Sequence, residues 1–125
     1  MEQTLYEAIG GAQKLEKLVD SFYGYVHEHP TLIPIFPNDL TETARKQKLF
    51  LTQFLGGPAL YTEEHGHPML RARHLPFAIT PSRRDAWLEC MEKAITEANI
   101  PEPYNEIIFQ RLTHTAQHMI NTPEK

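Results

Sequence analysis

Prolines cut this chain into segments that share one period. Ten prolines fall at positions 30–37, 58, 68, 76, 81, 101–103 and 123. Between them apolar residues recur at steps of three and four, the spacing that lines one face of a helix. A proline removes a backbone donor and restricts the residue before it, so each cluster ends one helix and admits another. No stretch shows the two-residue alternation of a half-buried strand. The pattern predicts an all-α fold.

The first strong helix is expected over about Ala12 to Glu28, with Leu15, Leu18, Val19, Phe22 and Val26 on one stripe. Gly10-Gly11 precede it and Pro30 ends it. The stretch PTLIPIFPND reads as an apolar corner with Ile35 and Phe36 turned inward. A second helix starts near Asp39, where Asp39 and Glu42 have the spacing of a capping box. Thr43, Gln47, Phe50 and Phe54 share its face, and Gly56-Gly57-Pro58 stop it. Residues 59–67 read as a polar loop, followed by a short helical turn, MLRARH, closed by Pro76. Thr80-Pro81 is a cap and first-position pair for a helix carrying Trp87, Leu88, Met91, Ala94, Ile95 and Ala98. A last helix from about Pro103 carries Ile108, Phe109, Leu112, Ala116, Met119 and Ile120.

At 125 residues, with 41% hydrophobic and 22% charged residues, the chain suits one domain, residues 1–125, around one core. No run approaches the ~18 consecutive apolar residues of a membrane helix, so no membrane partner is expected. The start MEQTLYEAIGG lacks the basic and apolar regions of a signal peptide. A net charge of -4 argues against nucleic acid as a partner. The lone Cys90 allows no internal disulfide. A cytoplasmic location is the resulting expectation.

Three polar side chains fall on apolar stripes. Tyr23 lies four residues after Val19, Gln47 between Thr43 and Phe50, and Trp87 on the inward side of its helix. Each, if buried, needs a hydrogen-bond partner, at a cost of ~1–3 kcal/mol where none is found. A backbone carbonyl would satisfy any one of them. Three donors from three helices also suit an apolar pocket with a few aimed polar groups.

Seven histidines are present: 27, 29, 65, 67, 74, 114 and 118. His114 and His118 are four apart but lack the glutamate of a zinc-protease motif, so they read as solvated helix surface. His65 and His67 read as loop, and His27 and His29 as a solvent-facing helix end. His74 ends a short helix one turn after Leu70, with Leu75, Pro76 and Phe77 expected to enclose it. By itself it reads first as a satisfied core histidine, with a neutral imidazole bonded to a metal as the alternative. With no CxxC and no carboxylate beside it, haem iron is the better metal candidate.

The chain resembles group II truncated haemoglobins over nearly its whole length. The resemblance rests on YEAIGG at the start, SFY at 21–23, PIFP at 34–37 and LTETARKQKLFLTQFLGGP at 40–58. It continues through Tyr61, GHPMLRARHLPFAI at 66–79 and RDAWLECM at 84–91. It implies a two-over-two helical sandwich around haem b, with His74 as the iron ligand. Tyr23, Gln47 and Trp87 would line the opposite, gas-binding side. Phe36 and Phe77 would pack on the porphyrin. Thr43, Lys46, Tyr61 and Arg73 would meet its edge and propionates. Thr43 stands where many globins carry a distal histidine, so gating by a histidine is not expected.

The resemblance implies binding of dioxygen and other diatomic gases, with high affinity and slow release. The alternative is a haem enzyme, a nitric oxide dioxygenase or a peroxidase-like protein, which would need a separate reductase as partner. A third reading has no haem at all: a helical adaptor with Tyr23, Gln47 and Trp87 as ordinary core.

Overall fold

The computed structural model describes residues 3–124. Among them every regular element is helical. The chain runs α1 (Leu5–Ile9), α2 (Gly11–Glu28), a 3-10 turn (Ile33–Ile35), α3 (Thr41–Phe54), α4 (Leu60–His65), α5 (Leu70–His74), α6 (Pro81–Glu97) and α7 (Tyr104–Gln117).

The predicted stripe of α2 forms the centre of the molecule. Leu15, Leu18, Val19, Phe22 and Val26 are all buried, and Tyr23 joins them. Two helix pairs, α2 with α3 and α6 with α7, lie over one another, with α2 packed chiefly against α6. Met91, Ala94 and Ile95 of α6 and Ile108 and Leu112 of α7 complete the core. His29, before Pro30, takes an extended conformation and ends α2, as the proline requires. Thr80 caps α6 by accepting from the Arg83 N–H, with Pro81 in the first turn.

Four expectations need correction. Residues 59–67 are not a loop: α4 forms at Leu60–His65, and Tyr61 is its buried residue. The helix is held from outside by Gln53, whose amide donates to Thr62 Oγ1 at 2.7 Å and accepts from the Thr62 N–H at 2.9 Å. Arg45 adds bonds to Glu42 on α3 and Glu64 on α4. The expected Asp39–Glu42 capping box does not form. Asp39 instead accepts from the Thr41 N–H, and Glu42 turns to Arg45.

A capping box forms where none was expected, between Thr4 and Glu7, and it starts α1. That helix ends at Gly10, whose φ of 112° is in the left-handed region glycine tolerates. Finally, α7 stops at Gln117, so Met119 lies in the turn that follows and Ile120 beyond it.

Gly57 closes α3 by close approach. A Cβ there would sit 2.9 Å from the Thr52 carbonyl and 2.9 Å from the Tyr6 ring. Its N–H donates to that carbonyl at 2.8 Å. The glycine thus allows α1 to lie against the end of α3.

Candidate haem site

A cavity of about 350 Å³ opens between the two helix pairs, within the ~300–1,000 Å³ range of small-molecule sites. Its wall includes Tyr23, Phe36, Thr43, Lys46, Gln47, Tyr61, Arg73, His74, Phe77 and Trp87. All ten residues singled out in the sequence therefore meet at one place, although they come from five helices and two connecting segments.

The aromatic packing of α2 positions the donors. Phe22, fully buried, meets Tyr23 at 4.8 Å and Trp87 at 5.0 Å between ring centroids, both edge-to-face. Tyr23 in turn meets Phe36 at 6.1 Å. Among the described residues no side chain or carbonyl accepts from the Tyr23 hydroxyl or the Trp87 indole, and Gln47 has no protein partner. The three donors are thus left free on the cavity wall. Burial pushes the Tyr23 phenol well above its ordinary ionisation range, so it stays a donor.

His74 faces the same cavity. Its Nδ1 lies 2.6 Å from the Leu70 carbonyl oxygen. A carbonyl only accepts, so Nδ1 carries the hydrogen, and Nε2 of the neutral ring keeps a bare lone pair. This is the arrangement by which proteins orient an imidazole for a metal. The apolar enclosure expected around His74 is only partial. Leu75 and Phe77 are 58% and 46% exposed, and of the two only Phe77 lines the cavity. They follow a helix too short to fold them inward.

The edge carries more cations than expected. Arg73 donates to the His65 carbonyl at 3.1 Å and lies over the Tyr61 ring at 5.6 Å. Arg83 and Arg84 also reach the wall, and the sequence reading passed over them. A signal was available, because α6 has two arginines and no acid in its first turn, against the helix dipole. Leu32 and Ile79 are further wall residues not singled out, since neither lies on a helical stripe, and Met119, expected on the stripe of the last helix, reaches the wall from beyond its end.

The other histidines stay away from the cavity. His114 and His118 are exposed, with rings 4.7 Å apart, and among the described residues no three metal-ligating side chains gather. Cys90 is buried in the core, and burial raises its thiol above the usual range.

A single histidine nitrogen free in an apolar slot, facing uncommitted donors and rimmed by cations, fits an iron porphyrin better than a bare ion. A family model described as bacterial-like globin matches residues 4–121. Group 2 truncated hemoglobin YjbI of Bacillus subtilis (strain 168) is 63% identical over 119 residues, covering 95% of this chain and 89% of that protein. The group II truncated hemoglobin of Bacillus anthracis has a crystal structure that superposes with a TM-score of 0.98. It is 65% identical and covers 100% of this chain and 96% of that one. A structure described as a truncated oxygen-avid haemoglobin from Bacillus subtilis gives 0.92 at 62% identity, covering 95% and 100%.

The chain belongs to the bacterial-like globins, and among them to the group II truncated haemoglobins. The fold is the two-over-two globin sandwich. Membership implies haem binding. Among the described residues no helix is long and apolar enough to cross a membrane.

Proposed function

We propose that the chain binds haem b on His74 and uses it to hold dioxygen tightly and release it slowly. The observation that carries this reading is the set of free donors, Tyr23, Trp87 and Gln47, on a wall shared with a free histidine nitrogen. The description of the Bacillus subtilis relative as oxygen-avid supports it.

Haem supplies an iron centre that takes up a diatomic gas. The Nε2 lone pair of His74 would hold the iron. The Tyr23 hydroxyl and the Trp87 indole N–H would donate to the bound gas. Apolar surroundings strengthen such bonds, because water does not compete for them. A hydrogen bond to a partly charged acceptor contributes ~1.5–3 kcal/mol, roughly tenfold or more in affinity per bond. Most of that gain lies in slower dissociation. Gln47 backs the same site from α3. Phe36 and Phe77 would pack on the porphyrin, while Thr43, Lys46, Tyr61 and Arg73 would meet its edge and propionates.

Two measurements test the proposal. The purified protein should show a Soret band and a pyridine haemochrome spectrum of haem b. His74→Ala should lose stable haem, or bind it only with added imidazole. An unchanged spectrum in that variant would refute His74 as the ligand.

A further inference from the structure

Helix α5 is five residues long, and none of them is buried. A helix that short does not hold itself, and here burial does not hold it either. The segment is instead fastened by the far end of the chain. The Arg71 guanidinium donates to the His118 carbonyl at 2.8 Å and to the Ile120 carbonyl at 3.0 Å.

Asn121 makes the closer attachment. Its Nδ2 donates to the His74 carbonyl at 3.2 Å and to the Phe77 carbonyl at 3.0 Å. Its Oδ1 accepts from the Ile79 N–H at 2.9 Å and from Thr122 Oγ1 at 2.7 Å. Its backbone N–H donates to the Ile79 carbonyl at 3.0 Å. Both donors and both lone pairs of the carboxamide are used. This also fixes its orientation, since the reversed amide would set oxygen against two carbonyl oxygens and NH₂ against an N–H.

The His74 carbonyl is one of the acceptors that a helix leaves over in its last turn. The Phe77 N–H donates to it at 2.9 Å, and Asn121 adds a second donor from 47 residues away. Two attachments therefore act on one histidine. The Leu70 carbonyl sets the rotation of the ring within α5, and Asn121 sets where the end of α5 stands in the molecule.

We propose that Asn121 is a positioning residue for the iron-binding histidine, and that residues 118–122 are the arm that holds the proximal segment in place. The proposal rests on the reading of His74 as the ligand. Asn121 lines no part of the cavity and acts only through the backbone of His74, Phe77 and Ile79. Asparagine suits the place specifically. Aspartate keeps the size and the acceptor but sets a carboxylate oxygen against two carbonyls, and alanine leaves the Phe77 carbonyl and the Ile79 N–H unpaired and the His74 carbonyl with the Phe77 N–H alone.

The test uses Asn121→Asp and Asn121→Ala in the haem-loaded full chain. Haem transfer to an acceptor globin should accelerate roughly tenfold to a hundredfold, the usual effect of losing a group that orients a metal ligand. The iron–histidine stretching band of the ferrous protein should shift or broaden. The ratio of oxygen to carbon monoxide release rates should stay as in the unaltered protein, because the Tyr23 side is untouched. In haem-free protein, amide exchange should rise across residues 73–79 and not in α2.

Unaltered haem transfer in both variants, or faster transfer with an unaltered stretching band, would overturn the proposal. Absence of that band in the unaltered protein would instead refute His74 as the ligand, and the exchange measurement would still decide the role of the arm. Should both variants fail to fold, Arg71→Gln, at an exposed site, weakens the same arm and is read by the same measurements.

Discussion

Tyr23 shows how one side chain can serve packing and chemistry together. Its ring is held by Phe22 and Phe36, and its hydroxyl is left without a protein partner. Tyr23→Phe keeps the ring and removes the hydroxyl, so it should speed oxygen release by roughly tenfold or more, the loss of one ~1.5–3 kcal/mol bond. Carbon monoxide accepts hydrogen bonds more weakly, and its release should change much less. Stopped-flow measurement of both gases distinguishes a lost donor from altered pocket shape, which would accelerate the two alike.

The same burial predicts a pH effect. An unfolded tyrosine ionises near pH 10, while folded Tyr23 stays protonated well beyond it. Unfolding in that range releases a proton, so the contribution of Tyr23 is intact below about pH 10 and is lost as pH rises above it. Denaturant titrations of the haem-free protein should show Tyr23→Phe losing less stability than the unaltered chain between about pH 9.5 and 11. Equal losses would show that the folded phenol ionises normally.

At the scale of elements, turn chemistry decided what periodicity could not. Thr4 and Glu7, where no capping box was expected, have the same spacing as Asp39 and Glu42, where one was. Only the first forms, because Thr4 leads straight into α1, whereas Leu40 separates Asp39 from α3 and Asp39 bonds two residues on. Thr4→Ala should therefore cost ~0.5–2 kcal/mol in denaturant unfolding, and Asp39→Ala less. The reverse order would mean that α1 contributes little to the folded state. Helix α4 escaped the sequence reading because six residues cannot display a stripe. Tyr61 is its one buried residue, and the bonds that hold it come from Gln53 and Arg45 on another helix.

For the whole molecule, the cavity separates a robust part from a dependent one. The core of α2, α6 and α7 is buried without any cofactor, whereas α5 has no buried residue and residues 31–37 bury only Leu32. A ligand that binds only the folded state adds about 4 kcal/mol at a thousand times its Kd. Removing haem should lower Tm, and amide exchange should rise first in residues 31–37 and α5 while α2 stays protected. A uniform rise through α2 would show that the core itself depends on the cofactor.

The all-α class, the α2 stripe, the punctuation by proline and the polar residues Tyr23, Gln47, Trp87 and His74 were legible from residue type at short spacing. The other wall residues, such as Lys46, Tyr61 and Arg73, were expected there only through the resemblance to group II truncated haemoglobins. The helix at residues 60–65, the identity of the working capping box, the arginines at 83 and 84 and the role of Asn121 were not legible. Their partners lie far along the chain, as Asn121 lies 47 residues from His74. A hydrogen bond of that span leaves no periodic mark on either side, so only the packed structure, which brings the chain's end against α5, could decide where His74, the proposed iron ligand, stands.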